Sequence, residues 1–193
     1  MCGMIPSLAD PERRALLGMA RDTARRILMN ASETPEAARP RIEGRFGGAF
    51  VTFWQGSLLR GCVGNFTPTA DIAAAIEEAT EASLHDPRFA DDPITFDELP
   101  ALTIELSLLT DPRPTSDPLS LTPGRHGIVI RYGGRSGCFL PKVAFERNWS
   151  AEEFLRNCCV MKAGLRPDAW RDPDATVLLF EAQSIRDDEK GRS

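Results

Sequence analysis

The chain is organised around the stretch Leu59-Arg60-Gly61-Cys62-Val63-Gly64. An apolar run over residues 49–54 precedes it, and a turn at Gln55-Gly56-Ser57 separates the two. Two such runs joined by a short turn are typical of a β-hairpin. Because side chains alternate between the two faces of a strand, this hairpin predicts that Arg60 and Cys62 share one face.

The surroundings of Cys62 in the sequence indicate a candidate site. A guanidinium beside a thiol favours the thiolate, and Arg60 is also suited to binding an anionic substrate through two hydrogen bonds. Gly61 and Gly64 weaken a strand, which indicates a bulge or a close approach by a ligand or another backbone. We therefore count Arg60, Gly61 and Gly64 as substrate-binding candidates. The alternative is structural: Cys62 is a small buried residue and Arg60 forms an ion pair.

Composition limits the class of protein. The 193 residues suffice for one domain or for two lobes that share a core. A net charge of -5 argues against a protein that binds duplex DNA through bulk charge, and basic and aromatic residues are not interleaved as in many nucleic-acid binders. No apolar run approaches the roughly 20 residues that span a bilayer, and the N-terminus lacks the pattern of a secretory signal. We expect the protein to be cytoplasmic.

Cysteine and histidine usage argues against a disulfide framework and against a metal centre. The cysteines are odd in number, without a C-x-x-C pair; they are Cys2, Cys62, Cys138, Cys158 and Cys159. The two histidines are too few for a His-rich site, so we predict no metal site, and the sequence identifies no cofactor. Cys2 follows the initiator Met1, as in enzymes with an N-terminal nucleophile. The residues after it lack the β-rich pattern of that fold, so we expect residues 1–9 to form a flexible terminus.

Helix signals occur in three places. The first helix is expected to begin at Asp10, which can act as its cap, and to continue with apolar residues at helical spacing to Leu28. The second begins after the start signal at residues 67–71, carries a stripe of small residues suited to packing on a sheet, and ends near His85. The third follows a capping box at residues 150–153.

The clearest strand runs from Leu102 to Leu109, with leucine and isoleucine on one face and polar residues on the other. Glu105 is the only charge in it. This carboxylate is either exposed to solvent or placed in a cleft. The proline-rich segment 111–123 then predicts an extended excursion and a boundary between two lobes.

A second hairpin follows, with strands over residues 126–132 and 135–140 joined at Gly133-Gly134. His126 stands at its start, where residues often line a site, although a surface or structural histidine is an equal alternative. Lys162 near the end of the third helix either complements the helix dipole or binds an anion. The last strand is expected over residues 176–185, before a charged, disordered tail at 186–193.

Several motifs resemble those of one family and occur along the chain in the same order as in that family. The signature stretch at residues 59–64 resembles that of the AMMECR domain, called AmmeMemoRadiSam system protein A in bacteria and archaea. The other matching motifs are Asp86-Pro87-Arg88-Phe89 with Glu98-Leu99, Gly124-Arg125-His126-Gly127-Ile128, Leu140-Pro141-Lys142-Val143-Ala144, Trp149 with Glu153-Phe154-Leu155, and Lys162-Ala163-Gly164-Leu165 with Trp170. The resemblance spans residues 10–185. Val63 replaces the usual isoleucine, and Lys142 stands where glutamine is common.

The resemblance implies an α+β fold, a two-lobed single domain over residues 10–185. It further implies a mostly antiparallel β-sheet with flanking helices and a cleft between the lobes near the signature strand. On the matched motif, Asp86 and Arg88 join the substrate-binding candidates. Relatives in bacteria and archaea are often encoded beside a Memo-like protein, related to non-haem-iron dioxygenases, and a radical SAM protein. These two are the expected partners, although the family's own reaction is unresolved.

These observations indicate two candidate functions, and a third candidate has less support than either of them. In the first, the protein is a small-molecule enzyme with Cys62 as nucleophile or acid/base, His126 as proton carrier, Glu105 as the group that orients it, and Lys162 as a binder of carboxylate or phosphate. In the second, it is a non-catalytic scaffold that binds a ligand or the two partner proteins. The third, a nucleic-acid-binding regulator, is opposed by the acidic charge.

Overall fold

The protein is described by a computed structural model that covers residues 6–31 and 39–187. Within these residues the chain has an α+β fold, as predicted. Its helices are α1 (Asp10–Leu28), α2 (Ile72–Leu84), α3 (Pro141–Glu146) and α4 (Ala151–Met161). Its strands are β1 (Gly48–Gln55), β2 (Leu58–Asn65), β3 (Thr103–Leu109), β4 (Arg113–Pro114), β5 (His126–Tyr132), β6 (Arg135–Phe139) and β7 (Thr176–Arg186).

The chain divides into two compact units. The Cys62 unit contains, of the described residues, 6–31, 39–109 and 183–187, and the His126 unit contains residues 110–182. Strand β7 belongs to both, since its residues up to Ala182 lie in the His126 unit and those from Gln183 in the Cys62 unit.

The Cys62 unit is built on antiparallel strands in the order β2-β1-β3, with the end of β7 beside β3. Helix α2 packs on β1 and β2, and α1 packs on α2 and β3. The predicted alternation of β3 is confirmed, because its apolar residues join the core under these helices. The core residues contributed by the strands are Ala49, Val51, Phe53, Ile104, Leu106 and Leu108. We call this side of the strands the helix face and the opposite side the thiol face.

The His126 unit has β5 at its centre, paired antiparallel with β6 on one side and β7 on the other. The predicted hairpin with its Gly133-Gly134 turn is confirmed, since both glycines have positive φ. The capping box of α4 is also confirmed, with Ser150 and Glu153 each bonded to the other's backbone N–H. Helix α3 was not predicted.

Two predicted boundaries differ from the structure. Helix α1 has Ala9 rather than Asp10 at its N-cap position, and the Glu12 carboxylate accepts the Ala9 N–H at 2.6 Å. Strand β7 continues to Arg186, inside the predicted tail, because the Asp187 carboxylate accepts the Ile104 N–H at 3.0 Å and pairs with Arg21. The remaining tail residues and Cys2 lie outside the described residues.

Candidate functional site

The signature strand contains a β-bulge at Arg60. Phe53 pairs with Gly61 and Trp54 pairs with Leu59, so that Arg60 is the extra residue with no partner on β1. A bulge of this kind interrupts the alternation of side chains along a strand. The prediction that Arg60 and Cys62 share one face is therefore wrong: Arg60 contacts the residues that follow α2, on the helix face, while Cys62 lies on the thiol face.

Arg60 is buried, with 4% of its side chain exposed. Its Nη1 pairs with the Glu98 carboxylate, and its Nη2 lies 3.4 Å from the exposed carboxylate of Asp92 and donates to the Asp92 carbonyl at 3.3 Å. The hydrogen bond from Arg60, helped by those from Thr95, lowers the pKa of Glu98 to about 2. These contacts match the ion-pair alternative for Arg60, and its predicted role in binding substrate stays a prediction.

Asp86 and Arg88 hold the backbone of Cys62 at the edge of the sheet. The Cys62 N–H donates to Asp86 Oδ2 at 3.0 Å, and the Cys62 carbonyl accepts from Arg88 Nη2 at 3.0 Å. Arg88 Nε also donates to Asp86 Oδ1 at 3.0 Å. Because β2 is the edge strand of this unit, the pair occupies backbone groups that would otherwise be open to another chain.

The charge state of this pair follows from the same contacts. Burial raises the pKa of Asp86, but hydrogen bonds from the Arg88 side chain and from the backbone of Cys62 and Arg88 outweigh it and lower the pKa to about 2. The hydrogen bond to Asp86 in turn raises the pKa of Arg88 above its usual value, against the effect of burial. Asp86 has 2% of its side chain exposed and Arg88 has 49%, so the carboxylate is enclosed and the guanidinium faces solvent.

The Cys62 thiol is half-buried and free of any disulfide. Thr52 Oγ1 lies 3.3 Å from Cys62 Sγ and donates a hydrogen bond to it. The guanidinium of Arg88 interacts electrostatically with this cysteine, whereas that of Arg60 pairs with Glu98. The combination of guanidinium and thiol that the sequence predicts is thus present with a different arginine, which comes from the segment after α2.

Glu105 lies on the thiol face in the same cross-strand row as the thiol, because Thr52 pairs with Cys62 on one side and with Glu105 on the other. The carboxylate is buried. It accepts the Trp54 indole N–H at 3.0 Å and lies 3.8 Å from Arg186 Nη1. Of the two alternatives left open by the sequence, exposure to solvent is therefore excluded.

The two glycines of the signature bring protein backbone together. A Cβ at Gly61 would lie 2.2 Å from the Ser83 carbonyl of α2, and one at Gly64 would lie 2.1 Å from the Ala49 carbonyl of β1. Ser83 also accepts the Val63 N–H at 2.9 Å, which ties the helix directly to the strand. The bulge and the close backbone approach are as predicted, and contact of these glycines with a ligand stays a prediction.

His126 lies at the start of β5 in the His126 unit, opposite Glu181 of β7. Its Nδ1 accepts the Thr122 N–H at 2.9 Å, and its Nε2 lies 3.9 Å from Glu181 Oε1. Burial lowers the pKa of His126, the charge of Arg125 lowers it further, and Glu181 opposes them. The ring is therefore neutral at neutral pH, with Nε2 as the protonated nitrogen, and its role as proton carrier stays a prediction.

Lys162 is the C-cap residue of α4, as its helix-dipole role requires. Its Nζ lies 5.5 Å from the centroid of the Phe139 ring, close enough for a cation–π contact. Gly164 adopts a left-handed conformation just beyond the helix. An anion-binding role for Lys162 stays a prediction.

The part of the chain that the structure describes contains no group of three or more His, Cys, Asp and Glu residues arranged to hold a metal ion. In the same residues no helix combines the length and the apolar character needed to cross a membrane.

Sequence reasoning did not single out Thr52 or Ser83. Thr52 lies in an apolar strand, and Ser83 lies in a helix with a stripe of small residues. Neither position differs from its neighbours in a way that predicts a functional hydroxyl group. Counting outward from the turn pairs Thr52 with Gly61, and only the bulge moves it opposite Cys62. A polar residue inside an otherwise apolar strand was the one available signal.

Fold and site together define an α+β protein with a half-buried thiol on a sheet edge, where a neighbouring carboxylate and guanidinium hold the backbone. The family model described as AMMECR1 matches residues 17–185. The chain belongs to this family, as the motifs predict.

Individual relatives agree. Protein Mbar_A1807 of Methanosarcina barkeri is 37% identical over 193 residues, which cover 94% of this chain and 93% of the relative. A protein of Thermococcus gammatolerans is also 37% identical, over 90% of this chain and 89% of its own. The crystal structure of the uncharacterized protein PH0010 from Pyrococcus horikoshii superposes with a TM-score of 0.82 at 33% identity, over 93% of each chain.

Proposed function

We propose that this AMMECR1-family protein is a small-molecule enzyme that uses the Cys62 thiol as its nucleophile and Arg88 to attract an anionic substrate. One observation carries the proposal: a half-exposed guanidinium is bonded to the backbone of the residue that bears the thiol. Arg88 Nε and Nη2 are occupied by Asp86 and by the Cys62 carbonyl, and the exposed remainder of the guanidinium is available to an anion. A substrate bound there would be oriented close to the sulfur.

The chemistry of the site suits attack on an electrophilic carbon. The thiolate is the reactive form of cysteine, and the Thr52 hydroxyl and the Arg88 guanidinium both contact this residue. As the S–C bond forms, the bond from that carbon to its leaving group breaks, and the leaving group takes up a proton. The roles predicted from the sequence for His126 as proton carrier, Glu105 as its orienting group and Lys162 as a binder of carboxylate or phosphate stay predictions.

The test compares two alkylating reagents that differ in charge. Iodoacetate carries a negative charge and iodoacetamide does not, so the ratio of their rates at Cys62 reports the attraction by Arg88. Peptide-resolved mass spectrometry follows Cys62, with the half-buried Cys138 as an internal reference. We expect Arg88→Gln to lower the iodoacetate-to-iodoacetamide ratio at Cys62 several-fold and added salt to lower it in the native protein.

The matched control is Arg25→Gln, which removes an exposed positive charge from α1 in the same unit. It should leave the ratio unchanged. Turnover is then sought in a mixture of cell metabolites, by mass spectrometry, with native protein and with Cys62→Ser. Equal ratios in native protein and Arg88→Gln, or metabolite changes that persist in Cys62→Ser, would refute the proposed role of the site.

A binding module is the second candidate, and one observation favours it. Within the Cys62 unit the described hydrogen-bond partner of the thiol is a threonine hydroxyl, not a histidine or a carboxylate that could take its proton. In this alternative the protein is a scaffold for the Memo-like and radical SAM partners that the family resemblance implies. Co-purification of tagged native protein with those two partners, together with unreactive Cys62, would favour it over the enzyme.

The proposal includes residence in the cytoplasm. The cysteines that the structure describes, Cys62, Cys138, Cys158 and Cys159, take part in no disulfide, which suits a reducing compartment. Fractionation of cells that express the tagged protein tests this part independently of its activity.

A further inference from the structure

Thr52 occupies an unusual position among the polar residues of the thiol face. It stands in the middle of a row across three strands, with Cys62 of β2 on one side and Glu105 of β3 on the other. Its side chain is fully enclosed, with 1% of the residue exposed. Within the Cys62 unit, the described hydrogen bond of this hydroxyl is the one to Cys62 Sγ at 3.3 Å.

A buried hydroxyl needs a hydrogen-bond partner, and the direction of this bond decides its effect. Thr52 donates, and a negatively charged sulfur is a stronger acceptor than a neutral one because charge-assisted hydrogen bonds are the stronger kind. The bond therefore stabilises the thiolate more than the thiol. The cross-strand pair that places the two side chains together results from the bulge at Arg60.

Three charged groups lie in or next to the row that contains the thiol. Arg88, after α2, interacts electrostatically with Cys62. Glu105 of β3 stands in the same row on the other side of Thr52, where it accepts the Trp54 indole N–H and lies 3.8 Å from Arg186 Nη1 of β7.

We propose that Thr52 is the positioning residue of the Cys62 site: its buried hydroxyl holds the sulfur in place and favours the reactive thiolate. The inference rests on the proposed function for its catalytic meaning, since it assigns the hydroxyl a role in preparing that nucleophile. Thr52 itself does not contact the substrate in this scheme. Among Cys62, Thr52 and Glu105, the side chain of Thr52 is the most enclosed. Its hydroxyl connects the Cys62 thiol to the neighbouring strand β1.

The test is the pH dependence of Cys62 alkylation by iodoacetamide in native protein and in Thr52→Val, with Thr52→Ser as the conservative variant. Valine keeps the shape of threonine and removes the donor. We expect Thr52→Val to move the pH profile of Cys62 alkylation to higher pH and to slow the reaction near neutral pH several-fold, because the hydrogen bond to the charged sulfur is lost. Thr52→Ser keeps the hydroxyl and should retain the native profile.

The outcomes separate the inference from the proposed function, because the measurement needs no substrate. An unchanged profile in Thr52→Val overturns the inference, and so does a lowered pKa, which would mean that the hydroxyl accepts from the thiol instead. Should Thr52→Val fail to fold, Thr52→Ala gives the same comparison. If the thiol pKa rises as expected but turnover persists in Cys62→Ser, the proposed function fails and the tuning of the thiol by Thr52 stands.

Discussion

Replacing Asp86 by asparagine tests the hydrogen-bonded pair that holds the signature strand. The pKa of Asp86 is about 2, against an ordinary value of 3.8, and one pKa unit corresponds to about 1.4 kcal/mol. The ionised carboxylate therefore contributes about 2 kcal/mol to folding at neutral pH. Asp86 is almost fully enclosed but Arg88 is half-exposed, so solvent screening keeps the contribution at or below this figure.

The sign of the pH dependence follows from the direction in which the pKa moves. A carboxyl whose pKa is lower in the folded than in the unfolded protein stabilises the fold above its unfolded pKa. This contribution is complete above about pH 4 and is lost as the pH falls through about 2. Glu98 titrates in the same window, so the contribution of Asp86 has to be isolated as a difference between native protein and Asp86→Asn.

The assay is urea denaturation of both proteins from about pH 7 down to about pH 2.5. We expect Asp86→Asn to be less stable by about 2 kcal/mol at neutral pH, and the difference to shrink below about 1 kcal/mol at the acid end. The exposed Asp97→Asn is the control, with an expected change within about 0.5 kcal/mol. A neutral-pH loss below about 0.5 kcal/mol, or a loss that stays constant as the pH falls, would refute this account of the pair.

The remaining predictions concern stability and are all checked by chemical denaturation at neutral pH. Glu98→Gln removes the charge of the main partner of the buried Arg60 and should cost about 3 kcal/mol, and a loss below about 1 kcal/mol would contradict the role given to this ion pair. Gly61→Ala should destabilise by at least about 2 kcal/mol because its Cβ meets backbone, whereas Gly18→Ala in the open interior of α1 should stabilise by up to about 1 kcal/mol. Equal changes in stability for Gly61→Ala and Gly18→Ala would contradict the expected backbone clash at Gly61. Ser150→Ala should cost about 1 kcal/mol through loss of the α4 cap, and an unchanged midpoint would argue against the capping box.

Local patterns in the sequence predicted most of the secondary structure, for identifiable reasons. The alternation of residues 102–109, the Gly133-Gly134 turn and the spacing of Ser150 and Glu153 each depend on a few neighbouring residues. Such signals need no knowledge of the rest of the fold. Helix α3 is only six residues long, and its start at Pro141 is a weak signal by itself.

The candidate site was predicted less well because it depends on register. A hairpin counted outward from its turn pairs Thr52 with Gly61 and places Arg60 beside Cys62. The bulge shifts every later pair by one residue, so that Thr52 pairs with Cys62 and Phe53 pairs with Gly61. No pattern in the stretch announces that shift, since the glycines on either side of Cys62 are equally consistent with a bulge and with close packing.

Arg88 was identified only through its motif, because nothing in its local pattern relates it to a strand more than twenty residues earlier. Its contact with Cys62 arises when α2 returns the chain to the edge of β2. The loop after a helix is a common source of functional groups placed against a sheet. The sequence therefore indicated that a guanidinium accompanies the thiol, and the fold decides which arginine supplies it.

The bulge also divides the signature into residues that act on different sides of the sheet. Arg60 and Gly61 face α2 and the segment after it, where a substitution acts on folding through an ion pair or a backbone clash. Cys62, with Thr52 beside it, lies on the other side, where a substitution acts on the thiol itself. Loss of function in an Arg60 or Gly61 variant is therefore evidence for a role in the site only when equal amounts of folded native protein and folded variant are compared. Thr52 variants allow a sharper comparison, because their expected effect is on the pH profile of one thiol, which is measured on folded protein.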